Sequence, residues 1–190
     1  MNGDPYLDLE HGVLRNLPGL TDRAALAQVE AGVSAIRLAE LEEHDLPGRY
    51  DLDHLQAFHR RVFGDIYDWA GELRTVSIGK GMPFCLPQHL RSSGETLFVQ
   101  LARRRYLEGL DRAAFVDNLA GFLGELNALH PFREGNGRTQ RAFCGQLARA
   151  AGHPIRWALL DGAENITASK AAHLGDLDPL RRMLDRLVRL

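Results

Sequence analysis

The sequence has little of three features that quickly define a class of protein: cysteine, an excess of one charge, and long apolar runs. It has only two cysteines, Cys85 and Cys144, too few for a disulfide framework. The net charge of −2 gives no electrostatic case for binding nucleic acid directly. No apolar run approaches the ~20 residues of a membrane span, and the first residues lack the pattern of a secretory leader. These absences predict a cytoplasmic protein that contacts neither membrane nor nucleic acid.

What the sequence does contain is an ordinary globular composition with helical periodicity. Hydrophobic residues at 45% and charged residues at 25% are typical of a folded domain, and 190 residues suit one domain over 1–190. Apolar residues recur at helical spacing, so the sequence predicts an all-α helical bundle. The predicted helices cover about 22–44, 51–63, 87–106, 115–129, 137–150 and 163–172, with a last one from residue 178. Prolines and glycines predict an irregular N-terminal arm over residues 1–20.

One segment, residues 74–86, departs from the helical pattern. Side chains alternate over Thr75, Val76, Ser77 and Ile78, a glycine-rich turn follows at Gly79, Lys80 and Gly81, and a second extended stretch covers 82–86. This arrangement predicts a small β-hairpin. From the residues alone, it could equally be a surface hairpin without a functional role.

The most informative stretch is residues 130–141, His-Pro-Phe-Arg-Glu-Gly-Asn-Gly-Arg-Thr-Gln-Arg. Apolar helical patterns precede and follow it, which predicts a loop between two buried helices, the second starting at about Gly137. The free N–H groups of a helix N-terminus form an anion site.

The residue types of this loop suit phosphate binding. Glycines let the backbone approach a phosphate, the asparagine amide can donate to it, and two arginines three residues apart on one helix face can both fork onto phosphates. The candidate phosphate-binding residues are Gly135, Asn136, Gly137, Arg138 and Arg141.

The same loop carries a metal ligand and a base. Glu134 is a hard oxygen ligand suited to Mg²⁺, and histidine, at position 130, is the residue type most often used as a general base. Phosphate, metal and base together indicate nucleotide chemistry. The alternatives are a helix–loop–helix corner with a capping histidine, or a zinc site from His130 and Glu134, which Pro131 and the glycines oppose.

The stretch resembles the Fic family signature, His-Pro-Phe-x-(Asp/Glu)-Gly-Asn-Gly-Arg-x-x-Arg, at all nine defined positions. The run Tyr-Asp-Trp-Ala-Gly-x-x-Arg at 67–74 is also similar to the family. The resemblance implies the Fic fold, a helical bundle whose hairpin is a flap beside the active-site loop. It implies protein adenylyltransferase activity: transfer of AMP from ATP, with Mg²⁺, to a Tyr, Thr or Ser hydroxyl of a target protein.

The resemblance also assigns roles to residues. His130 takes the proton of the target hydroxyl and Glu134 holds Mg²⁺. The backbone and side chains of 135–137 cradle the α- and β-phosphates, Arg138 steadies them, and Arg141 pairs with the γ-phosphate. The flap, Thr75 to Gly81, docks the target chain. A candidate adenine pocket comprises Trp157, Asn165 and Ser169, although a position in the core is favoured for Trp157.

Two further runs, Asp4-Pro5-Tyr6-Leu7 and His173-Leu174-Gly175-Asp176-Leu177, resemble the short stand-alone Fic toxins of toxin–antitoxin pairs. That likeness implies ATPase (B-type) subunits of DNA gyrase or topoisomerase IV as targets. Relatives with a built-in inhibitor carry (Ser/Thr)-x-x-x-Glu-(Gly/Asn). The three Glu-(Gly/Asn) pairs here are preceded, four residues earlier, by Arg104, His130 and Leu160. We therefore expect a separate small helical antitoxin that places a glutamate against Arg141.

Two other functions stay open at the level of sequence. The same scaffold could transfer a different group, as a kinase or as a transferase of UMP or phosphocholine. An intact Gly-Asn-Gly-Arg run argues against the kinase. The chain could also be a non-catalytic binding module, which the complete set of base, carboxylate and arginines argues against.

Overall fold

Seven α-helices form most of the part of the chain that the computed structural model describes, residues 3–80 and 82–189. They are α1 Arg23–Glu43, α2 Leu52–Phe63, α3 Leu90–Arg103, α4 Arg112–Leu129, α5 Asn136–Ala150, α6 Gly162–His173 and α7 Asp178–Leu187. Short 3₁₀ turns lie at Pro87–His89, Arg105–Leu107 and Trp157–Leu159. The predicted all-α class is confirmed. No helix among the described residues is long and apolar enough to cross a membrane.

Aspartates begin four of the helices. Asp22, Asp51, Asp111 and Asp161 each accept a hydrogen bond, at 2.8 Å, from the backbone N–H three residues further on. Such a cap satisfies one of the free N–H groups of the first turn and contributes about 1 kcal/mol. The helix starts are therefore set locally.

The core that holds the loop in place is built around Phe143 of α5. Its ring contacts Phe58 of α2 and Phe98 of α3, each at 5.6 Å between centroids, and Phe122 of α4 at 6.2 Å. The contacts with Phe58 and Phe98 are edge-to-face, an arrangement that adds to the free energy of burial. Helix α5 is thus fixed against α2, α3 and α4, and its first turn has a defined position.

The predicted helix over 87–106 differs at both ends. It begins with the 3₁₀ turn Pro87–His89, and α3 itself ends at Arg103. The next residues, Arg105, Tyr106 and Leu107, have φ of 52°, 54° and 65°. Backbone in that left-handed region cannot continue an α-helix, so the chain turns here toward α4.

The N-terminal arm is more ordered than predicted. Strand β1, Leu7–Asp8, pairs antiparallel with β2, Val13–Leu14, with Leu7 opposite Leu14. Tyr6 and Val13 beside this pairing are buried. A buried tyrosine and valine anchor the arm, which explains why a segment rich in glycine and proline has a fixed conformation.

The predicted hairpin is present, but its strands are shorter and lie further along the chain. Strand β3, Gly79–Lys80, pairs with β4, Met82–Pro83; the predicted turn residue Gly81 lies outside the described residues. The predicted strand over 75–78 is irregular because other groups take its hydrogen bonds. The Arg74 guanidinium donates to the Val76 oxygen at 2.7 Å, and the Thr75 N–H donates to the Tyr6 hydroxyl at 3.1 Å.

Candidate active site

The stretch 130–141 contains the loop that joins α4 to α5 and the first residues of α5. Two residues of the loop have a left-handed backbone conformation. His130, which ends α4, has φ of 45°, and Gly135, which precedes α5, has φ of 75°. A Cβ on Gly135 would lie 2.3 Å from the ring of Phe63, so only glycine fits there. Helix α5 starts at Asn136, one residue from the predicted start. Because the first N–H groups of a helix have no partner within it, those of α5 are at the loop, where an anion could accept from them.

The candidate base His130 has a defined tautomer. Its Nδ1 lies 3.1 Å from the main-chain oxygen of Asn127, so Nδ1 carries the proton and donates it. Nε2 is then the unprotonated nitrogen, the one able to accept a proton. The ring stacks on Phe84, with 3.8 Å between centroids and 7° between planes.

The loop is closed internally by Asn136. Its side-chain oxygen accepts from the Phe132 N–H at 2.9 Å, and its amide donates to the Phe132 oxygen at 2.8 Å. The side chain is buried and its amide donates within the loop, so donation from this amide to a phosphate stays a prediction. Phe132 itself is buried and stacks on His59 at 3.9 Å.

His59 of α2 holds the backbone of the metal-ligand candidate. Its Nδ1 accepts from the Gly71 N–H at 2.8 Å, and its Nε2 donates to the main-chain oxygen of Glu134 at 3.0 Å. Burial lowers the pKa of His59 to about 3, so the ring is neutral and can make both bonds. These two partners lie 12 and 75 residues away along the chain, so sequence reasoning did not reveal them.

Arg74 joins the loop to the hairpin. Its buried guanidinium donates from Nε to the His130 oxygen at 2.8 Å, as well as to the oxygens of Val76 and Cys85. Its own N–H donates to the Pro131 oxygen at 2.9 Å. Sequence reasoning placed Arg74 in a family-like run without a role. The structure gives Arg74 a role, because its buried guanidinium donates hydrogen bonds to several carbonyl oxygens of the loop and the hairpin segment.

The two arginines of the loop have different surroundings. Arg138 donates to the carboxylate of Glu30 on α1 and, at 3.0 Å, to the Ser34 hydroxyl, and its guanidinium lies 4.7 Å from the Phe63 ring centre. Arg141 has no ion pair or hydrogen bond to its side chain in the described part of the chain. Burial, and then the charge of Arg138, lowers the pKa of Arg141. Arg138 is thus tied to α1, and the expectation that both arginines bind phosphates stays a prediction.

A cleft of about 680 Å³ opens in front of the loop. It is lined by His130, Glu134 and Gly137 from the loop, by Ile78 and Gly79 from the hairpin, and by Asn165 and Ser169 from α6, among others. A smaller cavity of about 40 Å³ adjoins it, lined by Arg141, Gly137, Asn165, Ser169 and Trp157, among others. The structure thus brings candidate site residues from the loop, the hairpin and α6 together around these two cavities.

Several candidates do not line the main cleft, among them Arg141, Trp157 and Arg138. Trp157 lines only the smaller cavity and packs against Gly145, where a Cβ would lie 3.2 Å from its Nε1. Trp157 is thus mainly a packing residue, the alternative that its sequence favoured. Arg138 lines neither cavity.

The carboxylate of Glu134 suits a hard cation. It is 44% exposed, and its Oε1 accepts from the Gly135 N–H at 2.8 Å and lies 3.7 Å from the Arg138 guanidinium. No cluster of three or more metal-ligating side chains occurs among the described residues. One carboxylate at an anion site fits Mg²⁺ held jointly with substrate phosphates and water.

The fold and the loop define a class of protein: a helical domain with a candidate phosphate site at a helix N-terminus, beside a histidine that is a candidate base and a carboxylate. The chain belongs to the Fic/DOC family, whose profile matches residues 49–148.

Named relatives and solved structures agree with this placement. Protein adenylyltransferase VbhT of Bartonella schoenbuchensis is 42% identical over 97% of this chain, which spans 39% of VbhT. The Escherichia coli K12 protein named "probable protein adenylyltransferase Fic" is 37% identical over 97% of this chain and 92% of its own length. The N-terminal Fic domain of a Bartonella quintana effector, solved with bound ADP, has a TM-score of 0.91 at 26% identity, covering 97% of this chain and 94% of that one. The expected Fic fold is confirmed.

Proposed function

We propose that this chain is a protein adenylyltransferase that moves AMP from ATP to a hydroxyl of a target protein. The observation that carries the proposal is the position of His130, Glu134 and the first turn of α5 around one cleft. Relatives named as adenylyltransferases support it, as does the ADP bound in a structural relative.

The transfer follows from the orientation of the base. Nε2 of His130 accepts the proton of the target hydroxyl while the hydroxyl oxygen forms a bond to the α-phosphorus of ATP. The bond from that phosphorus to the oxygen bridging to the β-phosphorus breaks, and pyrophosphate leaves. The N–H groups at the start of α5 are already in place to stabilise charge on the phosphates. Mg²⁺ held by Glu134 would neutralise the same charge.

The hairpin is proposed to dock the target. Ile78 and Gly79 line the cleft, so a target chain lying along the hairpin edge would bring its hydroxyl toward His130. Backbone pairing of this kind gives affinity without reading much sequence. The flap residues 75–80 would then select an extended segment rather than a particular side chain.

We further propose that the chain is the cytoplasmic toxin of a toxin–antitoxin pair. The support is Arg141, a partly buried guanidinium without a carboxylate partner among the described residues, next to the phosphate loop. A γ-phosphate would pair with it during the reaction, and a glutamate of a small helical antitoxin would block it, since Arg–carboxylate pairs are strong and directional. ATPase subunits of gyrase or topoisomerase IV are the proposed targets.

Labelled nucleotides test the reaction. We expect a bacterial lysate incubated with the protein to incorporate label from [α-³²P]ATP and not from [γ-³²P]ATP or [α-³²P]UTP. Label from the γ-position would make the protein a kinase, and label from UTP would make it a UMP transferase. The absence of any label, in a lysate supplemented with purified gyrase, would contradict the proposal.

Growth tests the toxin proposal. Expression of the chain alone should stop growth, and co-expression of the small reading frame next to its gene should restore it. The charge-reversed variant Arg141→Glu should be harmless in both settings. Toxicity that the neighbouring protein does not relieve would contradict the antitoxin proposal while leaving the transfer reaction untouched.

A further inference from the structure

The ring of Phe84 covers one face of the candidate base. Phe84 follows β4, and its ring lies flat on the His130 imidazole, 3.8 Å between centroids and 7° between planes. We infer that Phe84 is a positioning residue that sets the orientation of His130 for proton transfer and couples it to the hairpin. This inference rests on the proposed function.

The backbone around Phe84 is tied on two sides. The Phe84 N–H donates to the Ile78 oxygen at 3.1 Å, which closes the hairpin, and the Cys85 N–H donates to the Ala128 oxygen at 3.0 Å, in the last turn of α4. Arg74 binds the Cys85 oxygen as well. The residue that faces the base is therefore anchored both to the hairpin and to the helix that carries the base.

A second ring also contacts Phe84. His173 of α6 packs against it in a T-shaped arrangement, with 5.4 Å between centroids and 62° between planes. Neither nitrogen of His173 has a hydrogen-bond partner among the described residues, so this contact depends on packing. Phe84 thus contacts both His130 and α6, which limits how far its ring can turn.

Two contacts then act on His130 in different ways. The hydrogen bond from Nδ1 to Asn127 determines which nitrogen carries the proton. A flat ring at 3.8 Å determines the plane of the imidazole, because a rotated ring would collide with Phe84. Together they keep Nε2 as the proton acceptor. Since the hairpin carries Phe84, a target that docks on the hairpin also acts on the alignment of the base.

The experiment compares side chains that keep or lose the flat ring. Phe84→Leu keeps apolar bulk, and Phe84→Tyr keeps the ring. We expect Phe84→Leu to lower the kcat of label transfer from [α-³²P]ATP to lysate protein by about 10- to 100-fold, as misalignment of a base does. The KM for ATP should change less than about twofold, and Phe84→Tyr should restore kcat. Leu86→Ala, an exposed apolar change two residues away, is the matched control and should behave as the parent.

A second readout reports the orientation without any reaction. Long-range ¹H–¹⁵N NMR distinguishes a ring held as the Nδ1–H tautomer from one that exchanges between tautomers. We expect a single Nδ1–H form of His130 in the parent and in Phe84→Tyr. In Phe84→Leu we expect averaged nitrogen shifts, because a ring that leaves its plane loses the hydrogen bond from Nδ1 to the Asn127 oxygen. A parent that transfers no AMP would defeat the proposed function, yet the tautomer would still test Phe84. The inference is overturned if Phe84→Leu keeps both kcat and the single tautomer, or if it loses activity with the tautomer unchanged.

Discussion

Arg138 of α5 is paired with Glu30 of α1, residues that lie 108 positions apart in the chain. The carboxylate is 13% exposed and the guanidinium 23%, and the Tyr67 hydroxyl also donates to Glu30. The first arginine of the loop is thus bound to the helical scaffold, whereas Arg141 has no such partner among the described residues. The two arginines therefore differ in their contacts with the rest of the protein.

The ion pair between Glu30 and Arg138 predicts that its loss lowers the free energy of unfolding but leaves nucleotide affinity nearly unchanged. Glu30→Gln should lower the free energy of unfolding by about 1–3 kcal/mol, because it leaves a partly buried guanidinium without its charge partner. ATP affinity should change little, since Arg138 lines neither cavity. Urea unfolding and calorimetric ATP titration measure the two effects.

The control is Asp45→Asn, which removes the exposed partner of Arg149 and should lower the free energy of unfolding by less than about 1 kcal/mol. A large loss of ATP affinity in Glu30→Gln would assign Arg138 to the phosphates after all.

His59 predicts how stability depends on pH. In the folded state burial lowers its pKa to about 3, whereas in the unfolded chain it titrates near 6.5. Between these values the unfolded state binds more protons, so the free energy of unfolding falls as pH decreases from about 6.5, by up to about 1.4 kcal/mol per pH unit. Burial lowers the pKa of His54 as well, which adds in the same direction.

Urea unfolding between pH 5 and 7.5 measures this slope. His59→Gln, which can still accept and donate through its amide, should lose stability at pH 7.5 but show a shallower pH dependence. An equal slope in the parent and the variant would show that His59 is not the group responsible.

Glu134 predicts a dependence on Mg²⁺. Glu134→Ala should bind ATP equally with and without Mg²⁺, because it removes the only carboxylate of the loop. The parent should bind ATP more tightly when Mg²⁺ is present. Titrations of ATP with and without Mg²⁺, in the parent and in the variant, give the comparison. Retention of the Mg²⁺ effect in Glu134→Ala would remove Glu134 from the proposed metal site.

The hairpin predicts a separation of target recognition from nucleotide binding. Ile78→Pro should abolish modification of targets while sparing ATP affinity, since proline removes a backbone donor and distorts the edge. Transfer assays and ATP titration are compared with those of Val99→Ala, an exposed apolar change on α3. Loss of both activities in Ile78→Pro would mean that the hairpin supports the loop and does not dock targets.

The sequence predicted the elements whose causes are local. Apolar periodicity located the helices, and the glycines of residues 130–141 located the loop and the start of α5 almost to the residue. Cys144 lies in the apolar helical pattern that follows the loop and is buried, and burial raises the pKa of its thiol to about 12.

Sequence reasoning missed the contacts between segments that are distant along the chain. The irregular course of 75–78 depends on Arg74 and Tyr6, and the position of Arg138 depends on Glu30. The Asn136 side chain was expected at a phosphate because its residue type permits it. Only the structure shows that its amide is used by Phe132, four residues earlier. Nothing in the spacing of these residues specifies such partners.

The central claim is that His130 acts as the base in AMP transfer, and mass spectrometry tests it most directly. Proteins from cells expressing the parent chain or His130→Ala are searched for tyrosine, threonine and serine residues that have gained AMP. We expect modified hydroxyls with the parent and a loss of about 10²- to 10⁴-fold with the variant, while ATP affinity and thermal unfolding stay close to those of the parent. Equal modification by the parent and by a folded, ATP-binding His130→Ala variant would contradict the account.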